Sequence, residues 1–193
     1  VTGVSLAKGE NTVLNRDGTP LADVTVGLGW DVRDDAGPDV DLDGSAIVCG
    51  ADGKVLSDQH FVFFNNLSSP DGSVRHSGDN RTGEGEGDDE KIAVDLDGLG
   101  PEVHQVVFTV SIYDAEARSQ AFGQVEDAYI RVVDNLTGRE MCRYELSLDA
   151  ATQTAMVFGA LYRRGGEWKF RAIGQGYDTG LKGIAEDYGV DVG

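Results

Sequence analysis

Positive charge is scarce in this sequence relative to negative. Lys and Arg number 16 against 34 Asp and Glu, which leaves a formal net charge of −18, and the isoelectric point is near 4.3. Nucleic acid and anionic lipid surfaces are held by clustered basic side chains. No such cluster is present, so both are excluded as direct partners, and cations or basic protein surfaces remain. Cysteine is nearly absent: Cys49 and Cys142 each sit inside an apolar run, with no second Cys or His at zinc spacing. They read as buried thiols in a reducing cytosol. No stretch approaches the roughly 18 apolar residues of a membrane span, and no basic start leads into an apolar run. The expectation is a soluble, cytoplasmic protein with no direct membrane insertion. A G-x-S-x-G nucleophile elbow and a Gly-Lys-Ser/Thr phosphate loop are both missing, so hydrolase and NTPase readings lack their parts.

What is present is a series of short β-branched and aromatic runs: "VTVGLGW" (24–30), "SAIVC" (45–49), "HFVFF" (60–64), "KIAVDL" (91–96), "QVVFTVSIY" (105–113), "AYIRVV" (128–133), "EMCRYEL" (140–146), "TAMVFGALYRR" (154–164) and "EWKFRAIGQG" (167–176). Between them "ADGK" (51–54), "DNLTGR" (134–139) and "RRGGE" (163–167) supply the Gly, Asn and Asp that hairpin turns need. Short strands joined by hairpins predict an all-β fold, a β-sandwich of two antiparallel sheets. One or two short helices are expected with it. Leu181, Ile184, Ala185 and Tyr188 share one helical face ahead of Gly189, which predicts a C-terminal helix, and "DAEARSQAFGQ" (114–124) reads as a helical crossover. The chain of 193 residues is read as one domain, 1–193.

The acids are concentrated. "WDVRDDAGPDVDLDGS" (30–45) holds six Asp against Arg33, and "GDNRTGEGEGDDE" (78–90) holds six Asp or Glu against Arg81. Two unit charges about 4 Å apart repel by roughly 4 kcal/mol at an effective dielectric of about 20, so such a cluster either stays spread in water or gathers around a cation. Asp39, Asp41 and Asp43 alternate with Val40 and Leu42. In an extended chain the three carboxylates share a face while the apolar residues point inward. "DVDLDG" opens like an EF-hand loop, but the twelfth position from Asp39 is Gly50 where a bidentate Glu is required. The chemistry on offer is oxygen ligands on Gly-jointed segments, which suits calcium better than magnesium, and neither segment holds the His or Cys a softer metal would select. The competing reading is a solvated acidic surface. His76 reads as a structural hydrogen bonder, and "DNLTGRE" at 134, which echoes "DNRTGEGE" at 79, reads as a hairpin.

Taken together, "VSLAKGEN" (4–11), "VTVGLGWD" (24–31), "DVDLDGSA" (39–46), "FVFFNNLSSPDGSVRHSGDNRTGEGEGDDE" (61–90), "AFGQVEDAYIRVVD" (121–134), "RYEL" (143–146) and "TAMVFGALYRRGGEWKFRAIGQGY" (154–177) resemble the TerD family of tellurium-resistance proteins. The resemblance implies a cytoplasmic bacterial β-sandwich, not an enzyme, that binds Ca2+ at two neighbouring sites and serves tellurite resistance and the stress response. Carried onto this chain, it implies a ligand set of Asp31, Asp39, Asp41 and Asp43 with Asp79, Asn80, Thr82, Gly83, Glu84, Asp88, Asp89 and Glu90. Thr82 and Gly83 would offer backbone oxygens. The partners it implies are calcium ions and other tellurium-resistance proteins, a membrane protein among them. The rival class is a divalent-metal-dependent hydrolase using the same carboxylates, which would need an open metal position with a base beside it. A calcium-bridged membrane module would need apolar or basic loop tips, and these segments offer mainly acids.

Overall fold

A computed structural model describes residues 3–32, 42–77, 88–113, 115–145 and 152–191. Fourteen strands run in chain order: β1 Val4–Leu6, β2 Asn11–Val13, β3 Asn15–Arg16, β4 Thr19–Pro20, β5 Asp23–Val32, β6 Leu42–Cys49 and β7 Phe61–Val62, then β8 Val74–His76, β9 Glu90–Asp95, β10 Gln105–Ile112, β11 Val125–Asp134, β12 Arg139–Glu145, β13 Ala155–Arg164 and β14 Glu167–Tyr177. They form two six-stranded sheets. The first has the order β1-β12-β11-β5-β9-β8, the second β2-β14-β13-β10-β6-β7, and β3 pairs with β4 as a separate ribbon. Every pairing is antiparallel except β1 with β12.

The inner faces meet in one core. Leu28, Ile92 and Ile130 from the first sheet pack with Leu42, Phe108, Phe158, Leu161 and Phe170 from the second. The second sheet is also covered outside. There α2 (Gly180–Asp187) lays Ile184 and Ala185 on Ile47, Val107, Ala155 and Val157 in a second apolar cluster. This double cover explains why β6 is buried at every position and why "SAIVC" and "QVVFTVSIY" read as continuous apolar runs with no alternation. The expected helical face is the one α2 uses, and the chain leaves it at Gly189 with φ +82°, a value only glycine adopts freely. The crossover helix over 114–124 breaks into two short pieces, a single α-helical turn, α1 (Ala115–Arg118), and a 3-10 turn at Phe122–Gln124, and Asp114 lies outside the described residues. Ser119 follows α1 at φ +53° and ends it.

The "DNLTGRE" echo is indeed a hairpin: Gly138 N–H donates to the Asp134 carbonyl at 2.8 Å between β11 and β12. The Asp134 carboxylate accepts from Arg16 Nε at 2.8 Å, from Leu136 N–H at 3.0 Å and from Thr137 Oγ1 at 3.1 Å, and so ties the β3–β4 ribbon to the first sheet. The Arg16 guanidinium, with these other donors, holds its carboxyl below the ordinary range. A depressed folded-state value adds stability above the unfolded value of about 4 and loses it as pH falls through the folded one. Asp134→Asn is therefore expected to lower Tm by about 2–4 °C at neutral pH. In melts run at successive pH values the difference should shrink below about pH 4, where the wild-type carboxyl also protonates.

Candidate functional site

The two acidic stretches are anchored at one end of the sandwich. The first leaves β5 after Val32 and rejoins the described chain at Leu42, the start of β6. The second leaves after Ser77, whose N–H donates to the Lys91 carbonyl at 2.9 Å, and returns at Asp88. β5 and β9 are antiparallel neighbours with Leu28 opposite Glu90, and Glu90 reaches β6 across the interior. All four anchor points thus lie together. Asp39, Asp41, Asp79, Asn80, Thr82, Gly83 and Glu84 fall outside the described residues.

The remaining expected ligands take four different situations. Asp31 is exposed near the end of β5. Asp89 lies across from it: its Oδ2 accepts Trp30 N–H at 2.9 Å, and its own N–H donates to the Leu28 carbonyl at 2.8 Å. Asp31 and Asp89 line one cleft of about 350 Å3, with Asp127, Tyr129, Arg143 and Glu145 on its other side. Burial, opposed by the Trp30 N–H bond and reinforced by the nearby Asp31 and Asp88 charges, pushes the Asp89 carboxyl above its ordinary range. Asp127 enters the cleft from a β-bulge between Glu126 and Tyr129, where its φ is +51°; Asp tolerates this left-handed conformation better than most residues.

Glu90 points the other way, into the interior. It accepts the N–H of Gly44, whose carbonyl accepts from His76 Nε2 at 3.0 Å. The same His76 nitrogen stands 3.4 Å from Glu90 Oε2, and both side chains are 1 % exposed. Strands β8 and β9 of one sheet thereby clasp the backbone of β6 in the other. Gly44 leaves room for this approach: a Cβ there would stand 2.4 Å from Leu28 Cδ1 and 2.6 Å from Glu90 Oε2, so a larger residue would have to displace these side-chain ends. His76 is a structural hydrogen bonder, as its sequence context indicates. Leu42 and Asp43 alternate as period two demands: Leu42 joins the core, and Asp43 is buried on the opposite, outer face of β6, opposite Ser111 of β10.

Asp88 has a socket of its own on the outer face of the first sheet. Its Oδ1 accepts from Tyr129 Oη at 2.9 Å and from Arg131 Nε at 2.8 Å, while Oδ2 accepts from Arg131 Nη2 at 2.9 Å. The bond to Asp88 raises the Arg131 pKa, and burial together with the same carboxylate raises that of Tyr129. The Arg143 guanidinium stacks 3.8 Å above the Tyr129 ring. None of these partners was legible as part of the site. The one available signal was alternation: "VTVGLGW" puts Gly27 and Gly29 on the outer face, and "AYIRVV" puts Tyr129 and Arg131 beside them.

The donor chemistry fits a hard cation. Every candidate ligand offers oxygen, and His76, the nearest imidazole, uses Nε2 on a carbonyl. Among the described residues no group of three or more His, Cys, Asp and Glu is placed to hold one ion. The cysteines offer no alternative: both are fully buried, and burial pushes each thiol up to about 12. Among the described residues no helix is long and apolar enough to cross a membrane.

Comparison with known proteins places the chain among relatives along nearly all its length. The family model described as the TerD domain matches residues 2–188. The tellurium resistance protein TerD of Serratia marcescens is 53% identical over 188 residues, covering 97% of this chain and 98% of that protein. General stress protein 16U of Bacillus subtilis (strain 168) is 49% identical over 191 residues, covering 98% and 99%. Among solved structures, a homologue of telluride resistance protein (TerD) from Streptomyces coelicolor A3(2) superposes with a TM-score of 0.69 at 28% identity, over 86% of this chain and 95% of that one.

Proposed function

The chain belongs to the TerD family of tellurium-resistance and stress-response proteins, and on that premise we propose that it is a calcium-binding module, cytoplasmic and non-catalytic, that works through Ca2+-dependent structure. The observation that supports the reading is that the described residues flanking both acidic stretches lie at one end of the sandwich, where Asp31 and Asp89 line one cleft. A divalent ion there would supply the positive charge that crowded carboxylates lack. The residues that would hold it are Asp31, Asp39, Asp41, Asp43 and Asp89, with Asp79, Asn80, Thr82, Gly83 and Glu84 of the second stretch, and with Glu90 shaping the site from the interior. Binding of two ions is the form we favour. Ion-loaded protein then presents a defined face to other tellurium-resistance proteins.

The test separates coordination from bulk charge. Calorimetric titration of metal-free protein with calcium is expected to show Asp41→Asn and Asp43→Asn weakening binding at least tenfold. The same change at Asp34 and Asp35 should alter it by less than about threefold, the scale of a screened surface charge. Equal effects at the two pairs would mean that charge alone, and no coordination, governs the response.

A further inference from the structure

We propose that Arg131, Tyr129 and Gly27 form a latch on Asp88, and that the latch positions the cation site without entering its coordination sphere; the inference rests on the calcium reading above. In an unbroken strand Asp88 and Glu90 would share a face. Here Glu90 faces the interior and bonds Gly44, whereas Asp88 lies over Gly27 on the outer face. The backbone turns over at Asp89, in a bend just ahead of β9. That bend is what sets Asp89 across from Asp31 in the cleft.

The latch is built for a carboxylate. A Cβ on residue 27 would stand 2.4 Å from Asp88 Cγ and 2.4 Å from its Oδ2, and one on residue 29 would stand 2.4 Å from the Tyr129 ring. Only the absence of side chains at 27 and 29 lets these groups lie flat on the sheet. The Asp88 side chain is 2 % exposed although it occupies an outer face, and Arg131 supplies both teeth of its planar fork, at 2.8 and 2.9 Å. Arg131 is braced in turn. Its Nη1 lies 3.6 Å from Glu140 Oε1, which lies 3.5 Å from Arg143 Nη1, and the Arg143 guanidinium covers Tyr129. Asp88 Oδ1 thus accepts two hydrogen bonds and Oδ2 one, all from the latch. This carboxylate anchors the chain, and Asp89 is the one presented to the cleft.

The sign of the effect distinguishes this role from its rivals. Removing a positive charge beside an acidic site should tighten calcium binding if electrostatics alone acts. Freeing Asp88 should tighten it further if Asp88 is itself a ligand. The latch requires the opposite: Arg131→Met in the full chain should weaken calcium binding about tenfold in calorimetric titration. Arg131→Lys, which keeps the charge and loses the fork, should fall between. Asp88→Asn should weaken binding as Arg131→Met does, and the double variant no more than the worse single one, since both break one contact. Tighter binding by Arg131→Met, or unchanged binding by Arg131→Lys, overturns the proposal. If Arg131→Met does not fold, Arg131→Lys and Asp88→Asn still decide it. Hydrogen exchange in chelator supplies a readout independent of metal: the Asp89 amide, bonded to the Leu28 carbonyl, should lose protection in each variant while amides of the β13–β14 pair keep theirs. Retained protection at Asp89 overturns the latch. Wild-type protein that takes up no calcium would instead overturn the calcium reading, with exchange alone then judging the latch.

Discussion

Glu90→Ala is expected to cost about 3 kcal/mol even in chelator, a fall in Tm of roughly 6–12 °C. The effect comes from the interior and requires no bound ion. Glu90 is 1 % exposed and accepts the N–H of Gly44, with His76 3.4 Å away on the same oxygen. Truncation leaves that N–H without its acceptor in a dry setting and opens a cavity near Leu28. It also cuts the bond by which β9 grips β6, so the two sheets lose a polar tie at the end where both acidic stretches are anchored. Glu90→Gln retains a carbonyl oxygen for Gly44 and should cost less than half as much. Thermal melts of both variants in excess chelator make the comparison. A Glu90→Ala melt that overlays the wild type would mean that Glu90 acts only through an ion.

Much of this architecture could be read in the sequence because its signals are local. The nine apolar runs all became strands, β5, β6, β7 and β9 to β14, and Leu181, Ile184, Ala185 and Tyr188 marked the helix over the second sheet. The short strands β1 to β4 and β8 escaped notice: two or three residues such as Thr19–Pro20 or Val74–His76 carry too little periodicity, and pairing with distant partners defines them. The crossover helix was overextended because Ala, Glu and Arg favour helix locally, whereas Ser119 at positive φ and the packing of Phe122 decide where the turn stops.

For the site, composition located the acidic stretches but could not sort their members. Asp88, Asp89 and Glu90 look equivalent as "DDE". Tertiary partners separate them: Arg131 and Tyr129 take Asp88, Trp30 N–H and the cleft take Asp89, and Gly44 takes Glu90. Each of those partners lies more than forty residues away in sequence, or in another sheet, so no spacing rule could have assigned them.

The central claim is that the acidic end of the sandwich binds calcium as part of its folded structure, and melting in calcium against chelator tests it most directly. Without an ion, folding brings the described residues that flank both acidic stretches to one end, and the net charge of −18 opposes that approach. A ligand that binds only the folded state adds RT ln(1 + [L]/Kd), about 4 kcal/mol at a thousandfold excess over Kd. For a domain of this size that corresponds to a Tm increase of roughly 8–16 °C. Monovalent salt should reproduce only a small part, because screening weakens repulsion without supplying coordination, and magnesium should do less than calcium because it resists loose, mixed oxygen shells. The decisive pair of curves is millimolar calcium against chelator at matched ionic strength. A large upward shift in calcium is the result expected here, and coincident curves would contradict the account and leave the carboxylates as a solvated acidic face.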